Sequence, residues 1–174
     1  MPEHRDYNGS GRWSAAEIRE PYLRHASSLG VREPRSLNPR THAEGDVVWT
    51  FPVMERVIEG IEEGDPACAE IGVQFIEDWQ RQPFGSQLQA QTARALRHAS
   101  LTTDQIARLR SKILQLLVSG DVPLEYREYA KLLRRIGVGE EWASLRASVD
   151  RSNPHVLRYV RYIEEHVRGA ASNK

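Results

Sequence analysis

Val57-Ile58-Glu59-Gly60-Ile61-Glu62-Glu63-Gly64-Asp65-Pro66 decides the reading of the fold. Val57, Ile58 and Ile61, with Val53 and Met54 before them, recur at the three-to-four spacing that places side chains on one helix face. The helix ends at Gly64. Asp65 then stands at an N-cap, and Pro66 at the first helical position, where its missing N–H has no intrahelical partner to lose. The same order returns in Ile113-Leu114-Gln115-Leu116-Leu117-Val118-Ser119-Gly120-Asp121-Val122-Pro123. Two such turns predict an all-α fold of about seven or eight short helices, arranged as antiparallel hairpins.

Outward from these turns, the punctuation continues. Pro52 opens the first hairpin, and Ala69, Gly72, Val73, Ile76 and Trp79 form the predicted inner face of the helix after Pro66. Gly60 and Gly72 lie inside helices, where glycine costs about 1 kcal/mol relative to alanine; close approach of two backbones would offset that. Pro83-Phe84-Gly85 breaks the chain, and a helix with Leu88, Thr92, Ala95, Leu96 and Ala99 follows. Thr102-Thr103-Asp104-Gln105 is a capping box opening a helix with Ile106, Leu109, Ile113, Leu114 and Leu117 inward. The Pro123 helix carries Tyr126, Tyr129, Ala130, Leu133 and Ile136, and stops at Gly137 and Gly139. A short helix with Trp142, Leu145 and Val149 leads to Asn153-Pro154, another cap, and Val156, Val160, Ile163 and Val167 line the last helix.

Before residue 50 the pattern is weaker. Residues 1–13 read as a flexible arm. Ser14-Ala15-Ala16-Glu17 is a capping box for a first helix with Ile18, Tyr22 and Ala26 inward, which Pro21 would kink or shorten. Residues 30–49, with Gly30, Pro34, Pro39 and Gly45, read as a long loop anchored by the apolar Val47-Val48-Trp49-Thr50-Phe51. The organisation expected is thus an arm, a short helix with a loop over 14–49, a helical-hairpin domain over 50–168, and a disordered tail over 169–174.

Laying Gly64-Asp65 on Gly120-Asp121 places Val57, Ile58 and Ile61 on Ile113, Leu114 and Leu117, an offset of 56. One extra residue brings Pro66 onto Pro123 and matches Val73, Ile76 and Trp79 to Ala130, Leu133 and Ile136. Over residues 52–168 this pattern loosely resembles HEAT-type α-helical repeats, which implies an array of stacked helix pairs presenting a surface to a partner. A compact helical bundle would use the same caps and stripes.

The 174 residues are 40% hydrophobic and 28% charged, the composition of an ordinary globular domain. No apolar run approaches the roughly 20 residues needed to span a bilayer, and Met1-Pro2-Glu3-His4-Arg5-Asp6 lacks a signal peptide's apolar core. A cytoplasmic protein with no membrane partner is expected. Cys68 is the only cysteine, which excludes an intrachain disulfide and a thiolate metal cluster. Beside Ala69 in a helix it reads as a small core hydrophobe.

Net charge is zero but unevenly divided: residues 50–85 carry −6 and residues 86–174 carry +6. Such a division points to an interaction surface or to internal complementarity. Only three of the 24 basic residues are lysines, a bias that the codons of a GC-rich, bacterial genome would produce.

Catalytic signatures are missing. The chain has no Gly-rich phosphate loop, no His pair with a glutamate on one helix turn, and no Gly-x-Ser-x-Gly elbow. Adjacent acids such as Glu62-Glu63, Glu77-Asp78, Glu140-Glu141 and Glu164-Glu165 diverge by about 100° on a helix and read as solvated faces. His42, Glu44 and Asp46 alternate within the loop and are the one candidate metal set. No cofactor is implied.

Basic side chains suggest a second reading. Arg94, Arg97 and His98 align on one helix, Arg108 and Lys112 on the next, Arg127, Lys131, Arg134 and Arg135 on the one after, and Arg158 and Arg161 on the last. If these faces coincide they form a groove able to bind phosphates, though Glu125, Glu128, Glu164 and Glu165 interleave. Tyr159 and Tyr162 lie beside a core stripe and are the exposed aromatic candidates. The leading expectation is a non-catalytic interaction module or scaffold for a protein partner or a second copy of itself. Nucleic-acid binding through the basic C-terminal faces comes next, and a metal-dependent enzyme using the 30–49 loop third.

Overall fold

A computed structural model of the chain describes residues 1–8, 11–79 and 85–171, with side chains to residue 166. The structure is mostly helical, with a small sheet that an all-α reading does not contain. Among the described residues the order is β1 (Glu3–Asp6), α1 (Ala15–Ser28), β2 (Thr41–Glu44), β3 (Val47–Thr50), α2 (Met54–Glu62), α3 (Pro66–Glu77), α4 (Gly85–Leu96), α5 (Thr103–Ser119), α6 (Tyr126–Ile136), α7 (Glu141–Leu145) and α8 (Pro154–Ala171). The chain forms two compact units, Met1–Phe75 and Ile76–Lys174. The division falls within α3.

The sheet corrects the reading of the first 50 residues in two places. The expected arm supplies β1, which pairs parallel to β3 from Glu3↔Val47 to Asp6↔Thr50. The expected loop supplies a hairpin, β2 pairing antiparallel to β3 from Thr41↔Thr50 to Glu44↔Val47. Gly45, at φ 57°, takes the first position of its two-residue turn, a conformation glycine adopts without a Cβ clash. The strands are four residues long and β1 and β2 are exposed throughout, so no alternation of apolar side chains marks them.

The first helix is capped by a residue other than the one its sequence suggests. Ser14 makes no side-chain cap bond, and its buried hydroxyl has no partner among the described residues. Asn8 substitutes: its Oδ1 accepts from the amides of Ala15 (3.2 Å) and Val53 (3.1 Å), joining the starts of two helical segments. Helix α1 runs unbroken across Pro21, because the carbonyl deprived of a partner belongs to exposed Glu17. It buries Ile18, Tyr22 and Ala26.

Helices α1, α2 and α5 end in one backbone motif. Gly30, Gly64 and Gly120 have φ of 70°, 85° and 77°. The residue after each glycine bonds a carbonyl five residues back: Val31 to Ala26, Asp65 to Gly60 and Asp121 to Leu116, each at 2.9 Å. This is the Schellman closure, which satisfies carbonyls left without an intrahelical donor.

Beyond the glycine the two Gly-Asp turns part. Asp65 caps α3 through Oδ1, accepting from Ala67 (2.8 Å) and Cys68 (3.2 Å). Asp121 instead accepts from Trp79 Nε1 at 2.6 Å, and α6 begins only at Tyr126, after a turn closed by the Tyr126 amide on the Pro123 carbonyl. The repeat is therefore a shared helix ending, and its two halves diverge at the aspartate.

In the first unit the core gathers Ile18, Tyr22, Leu37, Val57, Ile61, Cys68, Ile71 and Phe75. A Cβ at Gly60 would lie 2.3 Å from Cys68 Sγ, so only glycine permits this approach of α2 to α3. In the second unit α6 packs against α4, α5 and α8, and α5 also meets α7. Leu96, Leu109, Leu117, Tyr126, Tyr129, Leu133, Val160 and Ile163 fill that core. Trp79, Leu88, Ala99, Ile106, Ile136 and Leu145, expected inside, are only half-buried, while Gln89, Leu116 and Leu132 are buried. Helix α8 extends to Ala171, so the expected tail is helical over 169–171. The break at Pro83-Phe84, Gly9-Ser10 of the arm, residues 172–174 and the side chain of Val167 lie outside the described residues.

Candidate functional site

Glu128 is the centre of the site. It lies on α6, between Arg127 and Tyr129, and its side chain is only 7% exposed. Its carboxylate meets Lys131 Nζ at 3.0 Å, Arg97 at 3.4 Å, Arg127 at 3.5 Å and Arg94 at 3.8 Å. Burial alone would raise its pKa; the hydrogen bond from Lys131, then the charges of Lys131, Arg94 and Arg97, overcome this and hold it below the usual carboxyl value. The acid that interrupts the basic pattern in sequence thus organises it in space. It neutralises one of the four positive charges it gathers.

Around this hub three cavities open in the second unit. The first, of about 540 Å³, lies between α6 and α8. Arg127, Lys131, Arg158 and Arg161 line it with Glu165, over Ala130, Pro154, Leu157, Tyr159 and Tyr162. The spacing explains the shape: 127, 130 and 131 form one stripe of α6, and 157, 158, 161, 162 and 165 form the facing stripe of α8. Ala130, small and buried, sits between the α6 cations. The result is an apolar floor with a cationic rim. A second cavity of about 480 Å³ is lined by Arg97, His98, Lys131, Arg134, Arg135 and Tyr162, with no carboxylate among the described lining residues. A third, of about 230 Å³, runs past Leu133, Arg134, Gly137, Val138, Tyr162 and Ile163 to His166.

The predicted residues divide accordingly. Arg94, Arg97, Arg127, Lys131, Arg134, Arg135, Arg158 and Arg161 come together around α6 and α8. No ion pair engages Arg134, Arg135, Arg158 or Arg161 among the described residues. Tyr162 lines all three cavities, its ring 4.2 Å from that of His166. Tyr159 corrects the sequence reading: it is 8% exposed, its ring 4.8 Å from Tyr126 in an edge contact.

Arg108 and Lys112 do not join the groove. Arg108 makes a two-pronged pair with Glu77, Nε to Oε1 at 3.0 Å and Nη2 to Oε2 at 2.5 Å, and a third bond to Asp104. Lys112 is half-buried on α5 and lines none of the three cavities.

His42, Glu44 and Asp46 do not make a donor set. His42 and Glu44 stand on exposed β2, with the His42 ring stacked 5.6 Å from Trp49, and no three His, Cys, Asp or Glu side chains among the described residues are grouped to hold a metal ion. Cys68 is buried beside Asp65, and burial first, then the Asp65 charge, pushes its thiol pKa up, away from nucleophilic use.

The unequal charge division also resolves. Within the acidic stretch, Glu63 and Asp65 pair with Arg35, Glu59 with Arg40 and Arg56, and Glu77 with Arg108. All but Arg56 come from outside that stretch, so much of the acidic excess is internally complemented. The cations around α6 and α8 retain their excess.

Ala130, Pro154, Leu157 and buried Glu128 were missed as site residues in the sequence. Three look like ordinary helix residues, and Glu128 looks like an interruption; only the facing of α6 and α8 gives them a role. Among the described residues no helix is long and apolar enough to cross a membrane. Comparison of the chain with family models, with curated proteins and with solved structures gives no match to any of them.

Proposed function

We propose that this protein is a non-catalytic binding module whose second unit docks an acidic segment of a partner protein in the groove between α6 and α8. The observation that carries the reading is the apolar floor of Ala130, Pro154, Leu157 and Tyr162 beneath a rim of Arg127, Lys131, Arg158 and Arg161. An apolar anchor flanked by carboxylates fits both parts, the floor supplying affinity and the charges orientation and association rate. Arginine and tyrosine are residue types enriched at the centres of protein interfaces. Helix pairs stacked as in a HEAT-like array would present such a groove along one face.

Self-association draws less support. The acidic stretch that would complement the groove already has Glu59, Glu63, Asp65 and Glu77 paired. A separate acidic partner is therefore favoured over a second copy.

The test is fluorescence anisotropy with a short labelled peptide carrying a Leu-Phe anchor between aspartates. Saturable binding at low salt, lost in Arg158→Glu/Arg161→Glu, is expected. Absence of binding, or binding indifferent to those substitutions, overturns the reading. Nucleic acid is the second reading, favoured by the carboxylate-free cavity at Arg97, Arg134 and Arg135. A single-stranded oligonucleotide unretarded at low salt in a mobility-shift experiment removes it.

A further inference from the structure

We infer that the cavity of Arg97, His98, Lys131, Arg134, Arg135 and Tyr162 is a site for a phosphoryl dianion, and that the docked protein segment is recognised in its phosphorylated form. This rests on the groove reading and extends it, since the two cavities share Lys131 and Tyr162. A side chain leaving a segment seated on Leu157 and Tyr162 would enter the second cavity directly.

Charge and geometry argue for phosphoryl over carboxylate. Glu128 already meets Arg97 and Lys131 from beneath, fixing their stems while leaving donors unused. Arg134 and Arg135 are exposed and have no ion pair among the described residues. A single carboxylate matches one guanidinium fork. A phosphoryl group carries a charge of about −1.5 to −2 on three acceptor oxygens, enough to engage several forks at once. The volume of about 480 Å³ also leaves room for the side chain bearing the group.

A nucleic-acid backbone fits less well. It spreads one charge per phosphodiester and calls for a continuous cationic track. Here Arg97, Arg134 and Arg135 converge with Lys131 on one cavity, and the path beyond, though rimmed by Arg127, Arg158 and Arg161, runs over an apolar floor with Glu165 at its edge.

The experiment compares three peptides sharing the Leu-Phe anchor and aspartates but carrying serine, phosphoserine or a further aspartate at one position. The phosphoserine form should bind the wild-type protein about tenfold tighter than the serine form, as new charge-assisted bonds would provide. Arg134→Ala/Arg135→Ala should reduce that ratio to about twofold while leaving the serine peptide unaffected, and Arg158→Glu/Arg161→Glu should weaken all three. Both variants change exposed side chains, and circular dichroism checks that each is folded. Inorganic phosphate, followed by arginine Nε–Hε NMR signals, reports on the cavity without any peptide.

Equal affinity for serine and phosphoserine peptides overturns the inference and leaves the groove reading standing. Phosphate shifting Arg134 and Arg135 while no peptide binds overturns the peptide occupant. An oligonucleotide displacing the phosphopeptide at equal phosphate concentration replaces the protein partner with nucleic acid. Failure of peptides and phosphate alike removes both readings.

Discussion

The Tyr22 hydroxyl donates a 2.8 Å hydrogen bond to Asp65 Oδ2, tying the middle of α1 to the turn between α2 and α3. The same hydroxyl accepts from the Arg35 amide at 2.8 Å, and Arg35 Nε lies 3.6 Å from the Asp65 carboxylate. One aspartate therefore caps α3 with one oxygen and holds a buried tyrosine with the other.

Asp65→Ala removes both roles. The cap is worth about 0.5–2 kcal/mol, and the buried Tyr22 O–H left without its acceptor costs about 1–3 kcal/mol more. Chemical denaturation should show a loss of roughly 2–4 kcal/mol, the two costs overlapping. Tyr22→Phe, which keeps the cap, should lose less. Equal losses would show that the hydroxyl, and not the cap, dominates.

Gly60→Ala drives a methyl to within 2.3 Å of Cys68 Sγ and 2.9 Å of its Cβ. Overpacking of this kind costs about 1–3 kcal/mol. Adding Cys68→Ala removes the sulfur but not the Cβ, so it should recover part of the loss. A double-mutant cycle in which the two changes simply add would contradict the contact.

Glu128 gives the second unit an acid dependence. Its pKa in the folded protein lies below the ordinary carboxyl value of 4.5, so unfolding brings a rise. Its stabilisation is then fully present above the unfolded-state value and is lost as pH falls through the lower folded-state value. Glu128→Gln should flatten this part of the stability–pH curve measured by denaturation. It should also lower stability at neutral pH by about 1–3 kcal/mol, because charge-assisted bonds are lost while the cations left behind are mostly exposed to water. Tighter binding of acidic peptides by this variant is expected if it remains folded.

The basic residues should separate by role. Arg108→Ala breaks the paired bonds to Glu77 and should reduce stability without changing peptide affinity. Arg158→Glu should do the reverse. Thermal melts and anisotropy on the same preparations distinguish them, and a loss of affinity in Arg108→Ala would place it in the binding surface after all.

The sequence by itself determined the helical character of the chain from residue 54 onward and much of its core, because amphipathic spacing and caps act through neighbours. Thr102 and Gln105 form their reciprocal capping box, Asn153 Oδ1 accepts from His155 and Val156, and Val57, Ile61, Ile113 and Leu117 are buried as their spacing requires. Eight of the ten arginines and lysines proposed for a basic surface also come together around α6 and α8. Tertiary structure decided the rest. β1 exists because β3 supplies its hydrogen-bond partners, which no local pattern in Glu3–Asp6 encodes. Gly45-Asp46 and the β-branched and aromatic run Val47-Val48-Trp49-Thr50 were local signs of the hairpin. Asn8 displaces Ser14 as the α1 cap because the chain returns to bring it there, and Asp121 turns to Trp79 where Asp65, after the same glycine, caps a helix. Glu128 is the sharpest case. In sequence it dilutes a basic stretch; buried among four cations it fixes their positions, because a carboxylate removed from water must gather its own partners.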